Sequence, residues 1–130
     1  MTPALFVALA LAGGAGAASR FLVDGFLRRR TRGSLPWATI VINLTGSFCL
    51  GLFTGLVAGG LLPRPWLPVV GTGFLGGYTT FSTASFETVR LLQQGKPLLG
   101  ALNGVGVLVA TTALAGAGWG IGAVAVRAAG

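Results

Sequence analysis

The sequence predicts an all-α integral membrane protein built from four transmembrane helices. Three observations carry this. Of its 130 residues, 53% are hydrophobic and only 8% are charged, where an ordinary soluble domain carries about 25% charged residues. Four apolar runs are each long enough to cross a hydrocarbon core of roughly 30 Å, which takes about 20 helical residues. A proline stands near the start of every run, at Pro3, Pro36, Pro65 and Pro97, where a missing N–H costs a helix nothing. A chain of this length has room for one domain. We therefore expect a single transmembrane domain over residues 1–130, with helices near 3–27, 36–62, 65–94 and 97–126.

The first run carries Arg20 and Asp24 in its later part. Its stretch 4–18 is apolar and ends in small residues, as a signal peptide does, but no Lys or Arg precedes it, so a retained helix is expected. The second run, 36–62, the third, 65–86, and the fourth, 97–126, contain no charged residue. An even number of spans puts both ends of the chain on one side. Arg28, Arg29, Arg30, Arg32, Arg90 and Lys96 make six cations in the first and third connections, against Arg64 and Arg127 on the other side. The positive-inside rule then predicts a multi-pass protein of the cell (inner or plasma) membrane with loops 28–35 and 90–97 cytoplasmic. The arginine cluster reads as an orientation signal in contact with anionic lipid. No nucleic-acid partner is expected.

The composition argues against an enzyme. There is no His, one Cys (Cys49) and two acids, Asp24 and Glu87. General acid–base chemistry lacks its commonest group, a Ser or Thr nucleophile lacks a base, and clustered protein ligands for a metal are missing.

Glycine is abundant, 23 of 130 residues. In the second run Thr39, Asn43, Ser47, Gly51, Gly55 and Gly59 recur every fourth residue and form one ridge. Its outer half is a small-xxx-small face for close helix packing, repeated in the fourth run by Gly100/Gly104 and Gly116/Gly120. So many small faces leave little core within one chain, and an oligomer is expected. Asn43 is costly at membrane depth. It marks either an interhelical hydrogen bond or a wet path through the bundle.

Residues 71–87 hold glycines followed by five Ser and Thr hydroxyl side chains in mid-span. Gly71, Gly73 and Gly76 match the dinucleotide fingerprint in spacing, but no strand precedes them and no acid follows at the ribose position. Gly76 and Gly77 weaken a helix, and the β-branched Thr79 and Thr80 do little to restore it. Two readings stand: a glycine-rich crossing, or a helix broken between Gly76 and Thr80, tolerable only where packed in protein or lining a cavity. The scarcity of carboxylates favours an anion over a cation as the permeant species. Glu87 has Arg90 at i+3 as its plain partner.

Gly13-Gly14-x-Gly16 with Arg20, Asn43-Leu-x-Gly46-Ser47 with Gly51, and Gly76-Gly77-Tyr-Thr79-Thr80-Phe81-Ser82-Thr83 with Glu87 together resemble the Fluc/CrcB fluoride channel family. The likeness covers nearly the whole chain. It implies passive, fluoride-selective export that protects a microbe from fluoride, through pores at the interface of an antiparallel dimer. It also implies a structural sodium ion on backbone carbonyls, here Gly76 and Thr79. By the same resemblance Asn43 is a pore amide, Phe81 a member of a Phe box, and Arg20 a vestibule residue drawing anions. An anchor paired with Asp24 at i+4 is the other reading of Arg20. Fluoride is small and strongly hydrated, so donors must replace its water. Asn43 and the hydroxyls of Ser82, Thr83 or Thr111 can donate, and Asn103 stands near the start of the family's polar track in the last helix.

Departures from the family pattern bear on assembly. Ala84 occupies the position of the second Phe, and Val107 interrupts the track before Thr111. A chain that inserts in both orientations has a charge bias near zero, unlike the six-to-two bias here. Both facts fit a heterodimer with an oppositely oriented paralogue as well as a homodimer with incomplete pore positions. Two rival functions are a small multidrug-type proton-coupled exporter, which needs a deep carboxylate that helix 1 lacks, and a non-transporting scaffold subunit, which leaves Asn43 and residues 79–83 without a role.

Overall fold

The computed structural model describes residues 2–129. α1 (Pro3–Arg30) begins where the Thr2 hydroxyl accepts the Leu5 N–H and Pro3 opens the first turn. Its 28 residues extend about 42 Å at 1.5 Å per residue, longer than the hydrocarbon core. Arg28, Arg29 and Arg30 form its last turn, where cations suit the negative end of the helix dipole. These arginines are thus helical, and the connection begins only at Thr31.

α2 (Trp37–Ala58) stops earlier than the apolar run does. Gly60 takes φ +84, a conformation open to glycine that turns the chain out of the helix. The third crossing comes in two pieces. α3 (67–78) winds through π-helical turns over Leu67–Leu75 and one α-turn over Gly76–Tyr78. Thr79 (φ −78, ψ 162) and Thr80 (φ −149, ψ 116) are extended, and α4 (Phe81–Gln93) follows. Gly95, at φ +71, leads into α5 (Pro97–Ala129), which has its own π-helical turns at Leu102–Gly106. α1, α2 and α5 are each long and apolar enough to cross a membrane unbroken.

The break falls inside the expected window, but on the threonines rather than the glycines. The glycines serve a close crossing instead. A Cβ on Gly16 would run into the Phe74 carbonyl, one on Gly77 into the Gly13 carbonyl, and one on Gly73 would lie 2.9 Å from the Leu9 carbonyl oxygen. α1 and α3 therefore touch backbone to backbone. The two readings of this run are both present, two residues apart.

α2 and α5 pack along each other in the same way. Gly51, Gly55 and Gly59 face Ala115, Trp119 and Val126, as the small-residue ridge of α2 predicts. On α5 the partners are Gly118 and Gly122, set against the backbone of Phe48 and Leu52, whereas Gly116 and Gly120 have nothing within 4 Å. The expected Gly116/Gly120 face points away from α2. Buried apolar side chains are few, Ile42, Leu75 and Leu91 among them, while Phe21, Leu22, Leu98, Val109 and Val124 are exposed. Outward apolar surface of this extent suits lipid as solvent.

This packing makes a contrast between two nearby glycines. Gly122→Leu drives a side chain into the Leu52 carbonyl 2.8 Å away and is expected to destabilise the fold by about 3 kcal/mol or more. Gly120→Leu meets open space within the chain and leaves the melting temperature in detergent within a few degrees of the parent. Equal loss in both variants contradicts the α2–α5 register described.

Candidate functional site

The site is built on the break. Its two extended residues release backbone groups that the helices no longer satisfy, and in a membrane each such group is expensive to leave unpaired. Asn43 of α2 takes both groups of Thr80: its Nδ2 donates to the Thr80 carbonyl at 2.9 Å, and its Oδ1 accepts the Thr80 N–H at 2.8 Å. The interhelical reading of Asn43 is realised, and one N–H of the amide remains free of Thr80. The Thr80 hydroxyl caps α4 by accepting the Thr83 N–H at 3.3 Å, and donates to the Thr83 hydroxyl at 3.0 Å. Thr79 closes the other side, its N–H and its hydroxyl both donating to the Leu75 carbonyl at 2.9 Å.

Arg20 of α1 donates from Nε to the Gly77 carbonyl at 3.3 Å. It does not pair with Asp24, whose carboxylate lies 2.7 Å from Arg28 Nε. Arg28 reaches across to Glu87 as well, at 3.1 Å, so both acids of the chain share one arginine. The plain i+3 partner of Glu87, Arg90, is not used. Arg20 turns to the carbonyl because the break exposes it there, and Arg28 takes its place one turn further along α1. Among the described residues, Glu87 Oε2 and Thr39 Oγ1 are buried side-chain atoms with no hydrogen bond.

An open groove of about 520 Å³ runs beside the break. It gathers Asn43, Gly76, Thr79, Phe81, Asn103 and Thr111, six of the nine residues singled out from the sequence. Phe81 is 85% exposed, with its ring unpacked by the rest of the chain. Asn103 is buried, and its amide donates to the Ala84 carbonyl at 3.2 Å and to the Thr88 hydroxyl at 2.8 Å, tying α5 to α4. The Thr111 hydroxyl donates to the Leu108 carbonyl of its own helix. No carboxylate lines the groove.

The other three candidates lie elsewhere. Thr83 and Arg20 line a separate cavity of about 160 Å³ together with Thr39 and Thr80. Ser82 is exposed, 3.4 Å from the Thr80 hydroxyl. Thr80 lines both spaces, and the sequence, which marks it as an end of the break and part of the motif, gives no sign that it stands between two cavities. Among the described residues no hydrogen bond reaches the Gly76 or Thr79 carbonyl across the break, and no His/Cys/Asp/Glu cluster could hold a metal.

A multi-pass helical membrane protein with a polar break opening on a groove has the architecture of a channel or transporter. The chain belongs to the CrcB family: its residues 7–119 match the family described as CrcB-like protein, Camphor Resistance (CrcB). It is 51% identical over 126 residues to fluoride-specific ion channel FluC 1 of Leifsonia xyli subsp. xyli, a match covering 97% of this chain and 92% of that protein. Identity is 43% over 94 residues with fluoride-specific ion channel FluC 3 of Bifidobacterium longum, covering 72% and 78% respectively. With fluoride-specific ion channel FluC 2 of Moorella thermoacetica it is 40% over 105 residues, covering 81% and 85%.

Two variants test the geometry. Asn43→Ala strands the Thr80 N–H and carbonyl and is expected to cost about 3 kcal/mol, since each buried group left unpaired costs about 1–3 kcal/mol; thermal melting in detergent reads this, and an unchanged melting temperature removes Asn43 from its role at the break. Arg28→Gln leaves both acids without their cation and lowers the melting temperature, whereas Arg29→Gln, one residue along, leaves it unchanged.

Proposed function

We propose that this chain forms a fluoride-selective channel that lets the ion leave the cell passively and so protects against fluoride toxicity. The observation that carries this is the donor-bearing break of the third crossing, opening on an open groove lined by Asn43, Phe81, Asn103 and Thr111, in a chain of this family. Fluoride gives up tightly held water only to donors. Asn43 keeps one N–H beyond its bond to Thr80, and Phe81 can offer the positive edge of its ring. The Asn103 amide and the Thr111 hydroxyl stand further along the same groove, and Thr111 can rotate its O–H away from Leu108. Arg20, held at Nε by Gly77, keeps its remaining N–H groups for an anion near Thr83. The groove wall, which has no carboxylate, does not repel the ion, and the Asp24 that lines the Arg20 cavity is held by Arg28.

The open side of the groove and the exposed Phe81 support a second subunit as the missing wall, in an antiparallel pair. Relatives bearing the numbered names FluC 1, FluC 2 and FluC 3 support pairing with a paralogue as an alternative to a homodimer, as do Ala84 and the six-to-two charge bias, which favours a cytoplasmic side for loops 28–35 and 90–97. The freed carbonyls of Gly76 and Thr79 fit a small hard cation, and two chains would bring four such oxygens. A sodium ion there would fix the two breaks against each other by its charge, leaving the anion contacts to Asn43 and Phe81.

Liposomes containing this chain alone are expected to release fluoride, followed with a fluoride electrode, and to retain chloride. Phe81→Ala should slow release about tenfold, the value of one aromatic contact of about 1.5 kcal/mol. Release only after a paralogue is added makes the pair obligate. Silence in both cases overturns the fluoride reading.

A further inference from the structure

A third space of about 460 Å³ lies between the last turn of α1, the connection before α2 and the end of α4. Arg28, Ser34, Trp37, Glu87, Arg90 and Lys96 line it. We infer that this pocket binds a phosphate group, that of an anionic lipid headgroup.

Charge is the first argument. Glu87 is engaged by Arg28 on one side of the pocket. Arg90 and Lys96 make no ion pair among the described residues, and Lys96 gives one proton to the Ser34 hydroxyl at 2.9 Å. Two cations are therefore available to an anion, while Glu87, which also lines the pocket, keeps one oxygen on Arg28 and buries the other without a hydrogen bond. The backbone is the second argument. α2 starts here without a side-chain cap; the Trp37 N–H bonds to the Leu35 carbonyl and the Ile40 N–H to the Pro36 carbonyl, which leaves the N–H of Ala38, a lining residue, without an acceptor among the described residues. An unpaired N–H in the first turn of a 22-residue helix adds to the attraction that the cations exert on phosphate oxygens. Position is the third. Trp37 is 44% exposed at the rim, and tryptophan settles at headgroup depth. Basic pockets between membrane helices at that depth take lipid headgroups.

The test uses the whole protein, purified from membranes and exchanged into nanodiscs of mixed phosphatidylglycerol and phosphatidylcholine, with retained lipid read by native mass spectrometry. Phosphatidylglycerol is expected to be retained in preference to phosphatidylcholine. Arg90→Gln with Lys96→Gln should reduce that preference about twenty-fivefold, about fivefold for each cation removed. Arg64→Gln with Arg127→Gln, cations that do not line this pocket, should not change it. Should the double variant fail to fold, Lys96→Gln alone carries the fivefold arm. Protection by millimolar inorganic phosphate, lost in the same variants and without lipid preference, assigns the site to free phosphate and upholds the phosphate chemistry. Equal retention of both lipids with no phosphate effect overturns the inference. None of these readouts involves fluoride, so the pocket and the channel reading fail separately.

Discussion

The pair of hydrogen bonds between Asn43 and Thr80 is the constraint on which the rest of the site depends. A helix interrupted inside a bilayer must find partners for the backbone groups it releases. One amide side chain supplies a donor and an acceptor in the positions the Thr80 peptide groups require. Thr80 then caps α4 through its hydroxyl, so the restart of the helix is tied to the same residue that ends the gap. Gly76 and Thr79, whose carbonyls accept no hydrogen bond across the break, line the groove, and the Gly77 carbonyl is covered by Arg20. The polar character of the groove follows from how the break is repaired.

Glycine determines how near the other helices come. Gly13, Gly16, Gly73 and Gly77 let α1 and α3 meet at backbone distance, and Gly51, Gly55, Gly118 and Gly122 do so for α2 and α5. Gly46 has the methyl of Thr79 against it, which brings α2 near enough for Asn43 to reach Thr80. Lipid gives little hydrophobic reason for helices to associate, so close van der Waals contact and hydrogen bonds have to supply it.

Much of this was legible in the sequence because membrane helices announce themselves by length and composition. The four crossings, the starts of α1 and α5 at Pro3 and Pro97, the window of the break and the importance of Asn43 all follow from single-chain patterns, whereas the third crossing starts at Leu67, two residues past Pro65. What escaped was relational. Spacing on one helix pairs Arg20 with Asp24 and Glu87 with Arg90 equally well as any other i+3 or i+4 choice. Only the approach of α1 to α4 makes Arg28 the shared partner, and only the break offers Arg20 a carbonyl. Gly116/Gly120 and Gly118/Gly122 have the same spacing, and the rotation of α5 decides between them. Ser82 and Thr83, adjacent to Phe81, were grouped with it by sequence; the helical turn of α4 sends Thr83 to the Arg20 cavity instead.

The divided third crossing bears on how the chain is made. α3 spans 67–78 and α4 has 13 residues, each short of the roughly 20 needed to traverse the bilayer independently. Neither piece is a self-sufficient insertion signal, and their junction exposes peptide groups until Asn43 covers them. The break is satisfied only once Asn43 is in place, so docking against α2 and completion of the third crossing are one event.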